Sequence, residues 1–374
     1  MNTIGETESL PWPRSGFSLP GVFYASPSIY ELEKRQVFGA DWFFVAPASD
    51  VPHPGDYLSL VVVGEPLLLA RGQDGTIRVL SRVCRHRSMI VVEGRGSSST
   101  ISCPYHSWTY KTDGRLIGAP LMGADRDFSK DKCGLPSLCV EVWNGLVFAS
   151  FLQSPPPLAA ELPDLGARLA QFRLPEWNAK LIYDEEIGAN WKIVLENATE
   201  SYHHLGAHRK TLEVVTPANK VRLGASSGRY ATHHNWPTTL DPDTPPEGNV
   251  TVGELTLDAV EALVGGITTV FPNMVIAVGE KGALLAGVFP LDHQRTVFRL
   301  WTMRHPSMTS ERYEARSGDR DPLQFILDFN AEDLAIAAGV ARGTRSRFSE
   351  AGHLHPLEAG LTRFYDFLRG RMTA

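Results

Sequence analysis

Two short stretches, Cys84-Arg85-His86 and Cys103-Pro104-Tyr105-His106, decide how this chain folds. They bracket residues 87–102, a segment rich in glycine and serine. Each stretch offers one thiolate and one imidazole, so two loops must meet to bring four ligands together. Zinc ribbons usually pair cysteine with cysteine on each knuckle; here each loop pairs unlike ligands.

Two thiolates and two imidazoles are the ligand set of a Rieske [2Fe–2S] cluster, with the sulfurs on one iron and the histidines on the other. A tetrahedral zinc site with the same four ligands is the alternative. Around the loops the pattern is short and β-rich. Tyr57–Val63, Pro66–Arg71 and Thr76–Arg82 read as strands, with Gly64 and Asp74-Gly75 as hairpin turns. Residues 145–151 read as a buried closing strand. Proline at 155, 156 and 157 marks a linker, because a triple proline fits neither a helix interior nor a central strand. Beyond it, residues 158–172, 191–205, 320–341 and 356–370 read as helices, residues 179–188 as a strand, and 221–305 as short strands and turns. The expected class is α+β. Its parts are an N-terminal helical segment over residues 1–40 packing on the catalytic domain, an all-β Rieske domain over 41–153, and a catalytic domain over 154–374.

Composition narrows the function. The 374 residues carry a net charge of −6, which gives no reason to expect nucleic-acid binding. No run of apolar residues is long enough to span a membrane, and the acidic start, Met1 to Glu8, lacks the features of a signal peptide. A cytoplasmic location is expected. Of four cysteines, Cys133 and Cys139 remain outside the cluster stretches and read as small, semi-buried residues rather than a disulfide.

A second constellation lies at Asn190-Trp191-Lys192, Glu196-Asn197, Glu200-Ser201-Tyr202-His203 and His208. Glu196, Glu200 and His203 recur at helical spacing, so they are expected to share one face. Gly206 is placed to break that helix and swing His208 back toward His203. Two histidines and a carboxylate make the facial triad of non-haem Fe(II) oxygenases. Glu-x-x-His is also half of a di-iron bundle site, although no second copy occurs.

With these motifs in order, the chain resembles the α, or terminal oxygenase, subunit of the Rieske non-haem iron ring-hydroxylating oxygenases over nearly its whole length. Cys-Arg-His-Arg at 84–87, Cys-Pro-Tyr-His-Ser-Trp-Thr-Tyr at 103–110, Asp113-Gly114-Arg115-Leu116, Asn-Trp-Lys at 190–192 and Tyr-His at 202–203 carry the resemblance. It implies a helix-grip catalytic domain, an antiparallel sheet flanked by helices. It implies cluster binding by Cys84, His86, Cys103 and His106, and iron binding by His203, His208 and Asp333, with Asp328 or Glu332 as alternatives for the last. Asn197 would lie behind the ligands. Glu200 stands where the family usually has an aspartate that bridges the cluster of one subunit to the iron of the next, within a homotrimer. Ser107 stands where the family commonly has glycine, and a hydrogen bond from it would tune the cluster.

The resemblance further implies oxygenation with O2. Electrons would come from a ferredoxin or flavin reductase that uses NAD(P)H, since no dinucleotide-binding or Walker motif occurs in the chain. The expected reaction is hydroxylation of a small aromatic compound, with oxidative N- or O-demethylation of a methylated amine or aryl ether as the alternative. A Rieske electron carrier and a ligand-binding module that has lost its iron are the readings from other classes. Leu205, Trp236, Phe271, Ile276, Phe289 and Trp301 are the expected pocket residues, and His233-His234 could orient a polar group.

Overall fold

A computed structural model describes residues 10–308 and 321–373. The acidic start and residue 320 of the third expected helix lie outside the described residues. The chain forms two compact units, Phe38–Ala160 on one side and Met1–Val37 with Glu161–Ala374 on the other. The prolines after Ser154 stay with the first unit for a local reason. Trp42 Nε1 donates to Pro156 O at 2.7 Å, and Glu141 accepts from the backbone N–H groups of Leu158 and Ala159.

The first unit is all antiparallel β. One sheet orders Trp42–Pro47, Leu146–Ser150 and Cys139–Trp143. A second orders Ile77–Ser81, Glu65–Arg71, Asp56–Val62 and Arg95–Ser97, and a third Thr100–Ser102, Thr109–Lys111 and Leu116–Gly118. The cysteine–histidine stretches lie on two loops, one after the Ile77–Ser81 strand and one inside the 100–111 hairpin. Leu68, Leu80, Val91, Ile101, Trp108, Tyr110 and Leu116 form the core beneath them.

The second unit is built on a seven-stranded antiparallel sheet in the order 178–187, 296–304, 282–290, 274–279, 266–270, 230–235 and 221–226. Neighbouring threonines show which helix covers which face. Thr268 bonds Arg168 Nη2 at 2.6 Å, from the helix Pro163–Ala170. Thr269 points the opposite way and bonds Thr199 at 3.0 Å, at the end of the helix Trp191–Thr199. The long helix Pro322–Gly343 packs on the 191–199 helix, and Ala359–Met372 on the 230–235 strand.

The helix expected over 191–205 ends earlier, at Thr199. Thr199 Oγ1 turns back onto Leu195 O at 2.7 Å, and Glu200 is extended at φ −141°. Glu200 then accepts from the His203 backbone N–H at 3.1 Å and starts a new short helix, His204–Ala207. The break therefore precedes Glu200, and Gly206 lies inside the second helix. Glu196 does not share a helical face with His203.

Candidate cluster and iron sites

The two cysteine–histidine loops fold alike. Cys84 O accepts from Ser88 N–H and Cys103 O from Ser107 N–H, both at 3.0 Å. Ser88 and Ser107 hold left-handed backbones, at φ 55° and 58°. This explains why glycine suits the position of Ser107. The Ser107 carbonyl accepts from Thr109 Oγ1 at 3.1 Å.

The knuckles present Cys84 and Cys103 as buried free thiols and place the rings of His86 and His106 4.6 Å apart. The His86 ring stacks on Trp108 at 4.8 Å. Tyr110 Oη lies 3.2 Å from Cys84 Sγ and accepts from Arg85 N–H. Accepting there leaves its own proton for the sulfur. Two buried thiols beside two converging imidazoles fit a [2Fe–2S] cluster. Of the other cysteines, Cys133 is free, and Cys139 Sγ bonds Gln153 O at 3.3 Å.

In the second unit, the 322–343 helix brings Asp333 against the two histidines. Asp333 Oδ1 is 2.9 Å from His208 Nε2 and 3.6 Å from His203 Nε2. His208 Nε2 and Asp333 Oδ1 are buried, yet neither has a hydrogen-bond partner of acceptable geometry. Their lone pairs converge without being satisfied, as a metal-binding set requires. Each imidazole is held from behind by a second carboxylate. His203 Nδ1 meets Glu200 Oε1 at 2.7 Å, and His208 Nδ1 meets Glu332 Oε2 at 2.7 Å. Such contacts fix the tautomer and aim Nε2 forward. Thr211 Oγ1 donates to the same Glu332 oxygen. Asp328 instead accepts from Gln324 on an exposed face.

Burial disfavours charge on His203, but the neighbouring Asp333 and Glu200 carboxylates outweigh it and lift its pKa to about 9. The site thus favours positive charge. His204 brings a third imidazole nitrogen within 4.8 Å of those of His203 and His208. Its Nδ1 is engaged with Thr216 O at 3.2 Å, and burial pushes its pKa down to about 3. Asp333 Oδ1 has no such competing partner, which favours it as the third ligand.

Asn-Trp-Lys proves to be an anchor for the 191–199 helix, which leads into the segment of His203 and His208. Asn190 caps it by accepting from Lys192 N–H, and its amide donates to Tyr24 O and His293 O. Trp191 Nε1 and Lys192 Nζ both bond Glu33, at 2.7 and 2.5 Å, where Glu33 and Lys192 are fully buried. Tyr24 donates to Glu196, whose carboxyl burial pushes up to about 8.

A cavity of about 380 Å³ opens beside the triad, between the sheet and the 322–343 helix. Asn197, Glu200, His203, His208 and Asp333 line it. None of the six expected pocket residues does. Ile276 pairs with Leu285, and Leu285 with Trp301, across the opposite face of the sheet. The cavity-facing row is one residue out of step: Val275 and Ala277, Leu284 and Ala286, Phe298 and Leu300. Phe289 shares the face of Leu285 and Trp301. Phe271 packs on Phe364 and Phe367, Trp236 is buried outside the cavity, and Leu205 is exposed.

Phe325, Phe329 and Asn235 line the cavity without having been expected there, whereas Asp333 and His233 were expected near the site. Phe325, Phe329 and Asp333 recur every four residues on one helix, a readable signal. His233 and Asn235 alternate along a strand, whereas His234 faces Glu261 on the other side, 3.9 Å away.

Comparison with known proteins agrees with this architecture. The Rieske [2Fe–2S] domain family matches residues 41–139, and the ring hydroxylating alpha subunit (catalytic domain) family matches residues 169–374. The carnitine monooxygenase oxygenase subunit of Acinetobacter pittii is 28% identical over 90% of this chain and 87% of its own length. The glycine betaine monooxygenase oxygenase subunit of Chromohalobacter salexigens is 38% identical, over 52% of this chain and 44% of its own. Among solved structures, the quaternary ammonium Rieske monooxygenase CntA shares the fold at a TM-score of 0.79, with 24% identity and 96% of each chain covered. Naphthalene 1,2-dioxygenase from Rhodococcus sp. does so at 0.78, with 21% identity and 95% and 94% covered. Among the described residues no helix is long and apolar enough to cross a membrane. An all-β Rieske unit, a helix-flanked antiparallel catalytic sheet and these matches identify the chain as a member of the Rieske ring-hydroxylating oxygenase α-subunit family, whose cofactors are a [2Fe–2S] cluster and a mononuclear iron.

Proposed function

We propose that this chain is a terminal oxygenase that oxidises a small methylated ammonium compound at a carbon next to nitrogen. The observation that carries the reading is the aromatic wall beside the iron site. The Phe329 ring lies 6.3 Å from that of His208, and Phe325 stands edge-on to Phe329 at 5.7 Å. Phenyl faces attract quaternary ammonium groups, and apolar walls suit their methyls. The named activities of the relatives favour this substrate class over the aromatic one expected from sequence.

In this reading Cys84, His86, Cys103 and His106 hold the cluster, and His203, His208 and Asp333 hold the iron. When bound, the cluster passes single electrons and the iron activates dioxygen. The protein's own part is positional. Glu200 and Glu332 accept the Nδ1 protons of His203 and His208, keeping both Nε2 atoms free. Val275, Ala277 and Ala286 leave room for substrate, and the surrounding apolar residues exclude water. A homotrimer, a separate NAD(P)H-dependent reductase and a role for Glu200 in electron passage between subunits belong to the same proposal.

The test is oxygen uptake and aldehyde release by the iron-loaded protein with an electron-supplying reductase. The panel holds methylated ammonium compounds, aryl ethers and aromatic acids. Coupled turnover confined to the methylated ammonium compounds is expected. Turnover confined to aromatic acids refutes the substrate class, and an iron-to-sulfide ratio of about 1 instead of about 1.5 refutes the second iron site. Light scattering checks the trimer.

A further inference from the structure

Three buried polar residues on the cavity wall have no part in holding iron. Ser201 is 1% exposed, His233 3% and Asn235 9%, and all three line the cavity. His233 and Asn235 sit at alternate positions of the 230–235 strand, so both project to the same side. Ser201 approaches them from the segment that carries the iron histidines.

Their hydrogen bonds have a definite direction. Ser201 Oγ donates to Asn235 Oδ1 at 2.9 Å. The same oxygen lies 2.9 Å from His233 Nε2. A serine has one proton, and it is committed to Asn235. His233 must therefore donate from Nε2, which leaves Nδ1 as an acceptor. Burial, reinforced by neighbouring imidazoles, pushes the His233 pKa down to about 3, so the ring stays neutral with a single N–H. The Asn235 carbonyl is taken up by Ser201, which leaves its amide N–H groups as donors. The cavity wall therefore carries an acceptor and amide donors two positions apart on one strand, neither bonded to another group among the described residues.

We infer that His233 and Asn235, with Ser201 as the positioning residue, form a binding site for a hydroxyl group of the substrate. A hydroxyl both donates and accepts, so it satisfies His233 Nδ1 and the Asn235 amide together. A carboxylate could use only the amide. The inference rests on the methylated-ammonium reading and narrows it to compounds bearing a hydroxyl a short distance from the ammonium group. A site built to bond a hydroxyl discriminates against the analogue without one, because buried polar groups are then left unpaired.

The experiment compares kcat/KM within two pairs of probes that differ only in a hydroxyl, using iron-loaded protein. One pair is L-carnitine and γ-butyrobetaine; the other is choline and ethyltrimethylammonium. The expected preference for the hydroxylated member is roughly 10- to 100-fold, corresponding to two ordinary hydrogen bonds. Ser201→Ala, His233→Phe and Asn235→Leu should each bring that ratio toward unity, and Ser201→Thr should retain it. A loss of fold or iron lowers both members together and leaves the ratio intact, so an unchanged ratio in all three variants overturns the inference. Equal kcat/KM within both pairs in the unmodified protein also overturns it, while the methylated-ammonium reading stands. Turnover of neither pair overturns the inference, and the wider panel of methylated ammonium compounds then decides the reading beneath it.

Discussion

Lys192→Met tests whether Asn-Trp-Lys serves to seat the 191–199 helix that precedes the iron-site histidines. In the native chain Lys192 Nζ and Glu33 Oε1 are 2.5 Å apart, and both side chains are fully buried. Methionine keeps the length of the lysine stem and removes only the charge. Glu33 would then be a buried carboxylate with one remaining donor, Trp191 Nε1. Breaking a buried ion pair from one side costs about 3–5 kcal/mol. For a unit of this size each kcal/mol shifts Tm by about 2–4 °C, so a drop of about 6–20 °C is expected. Adding Glu33→Gln removes the stranded charge. A buried pair replaced by uncharged groups of similar volume is often near neutral, so the double variant should recover most of the loss. Calorimetry of the iron-loaded protein at one scan rate reads all three. A Lys192→Met Tm within about 2 °C of the native value, or a double variant no better than the single, would refute the reasoning.

The remaining predictions concern the two centres and the buried carboxyl nearby. Asp333→Ala should leave the visible spectrum of the cluster unchanged, lower iron but not sulfide, and abolish oxygen uptake; normal turnover would exclude Asp333 as a ligand. Tyr110→Phe removes a hydroxyl 3.2 Å from Cys84 Sγ that favours the more negative, reduced cluster. A loss of about 0.5–1.5 kcal/mol lowers a one-electron potential by about 20–60 mV, read by redox titration, and an unchanged potential would exclude that bond. Glu196 has its pKa raised by burial to about 8. The folded state therefore binds its proton more tightly than the unfolded chain, and stability should fall as pH rises from about 4.5 toward 8. Glu196→Gln should flatten that slope in urea unfolding, and an equally steep slope would remove Glu196 as its source.

The parts legible in the sequence were those where chemistry demands particular residues. Both cysteine–histidine loops, the two iron-site histidines and the sheet-with-helices architecture could be read because few alternatives share those patterns. The pocket could not be read in the same way. The strand Met274–Gly279 is apolar throughout, covered on both faces, so no polar alternation marks which face is which. The largest side chains were expected at the pocket, but Ile276, Leu285 and Trp301 fill the core on the opposite face. A cavity persists where side chains are small, as at Ala277 and Ala286. The early end of the 191–199 helix was also hidden; Thr199 there meets Thr269 across 70 residues of chain.

The grip on His208 has a consequence for how the protein matures. One turn of the 322–343 helix holds both nitrogens of that ring, Glu332 at Nδ1 and Asp333 at Nε2, from 124 residues away in sequence. On the proposed ligand set, a chain whose C-terminal helix has not yet docked owns both histidines but lacks the third ligand and the correct tautomer of the second. Tight iron loading must therefore follow docking. On that ligand set the metal reports that the last seventh of the chain has arrived, and a chain truncated before Pro322 should load its cluster yet fail to retain the second iron.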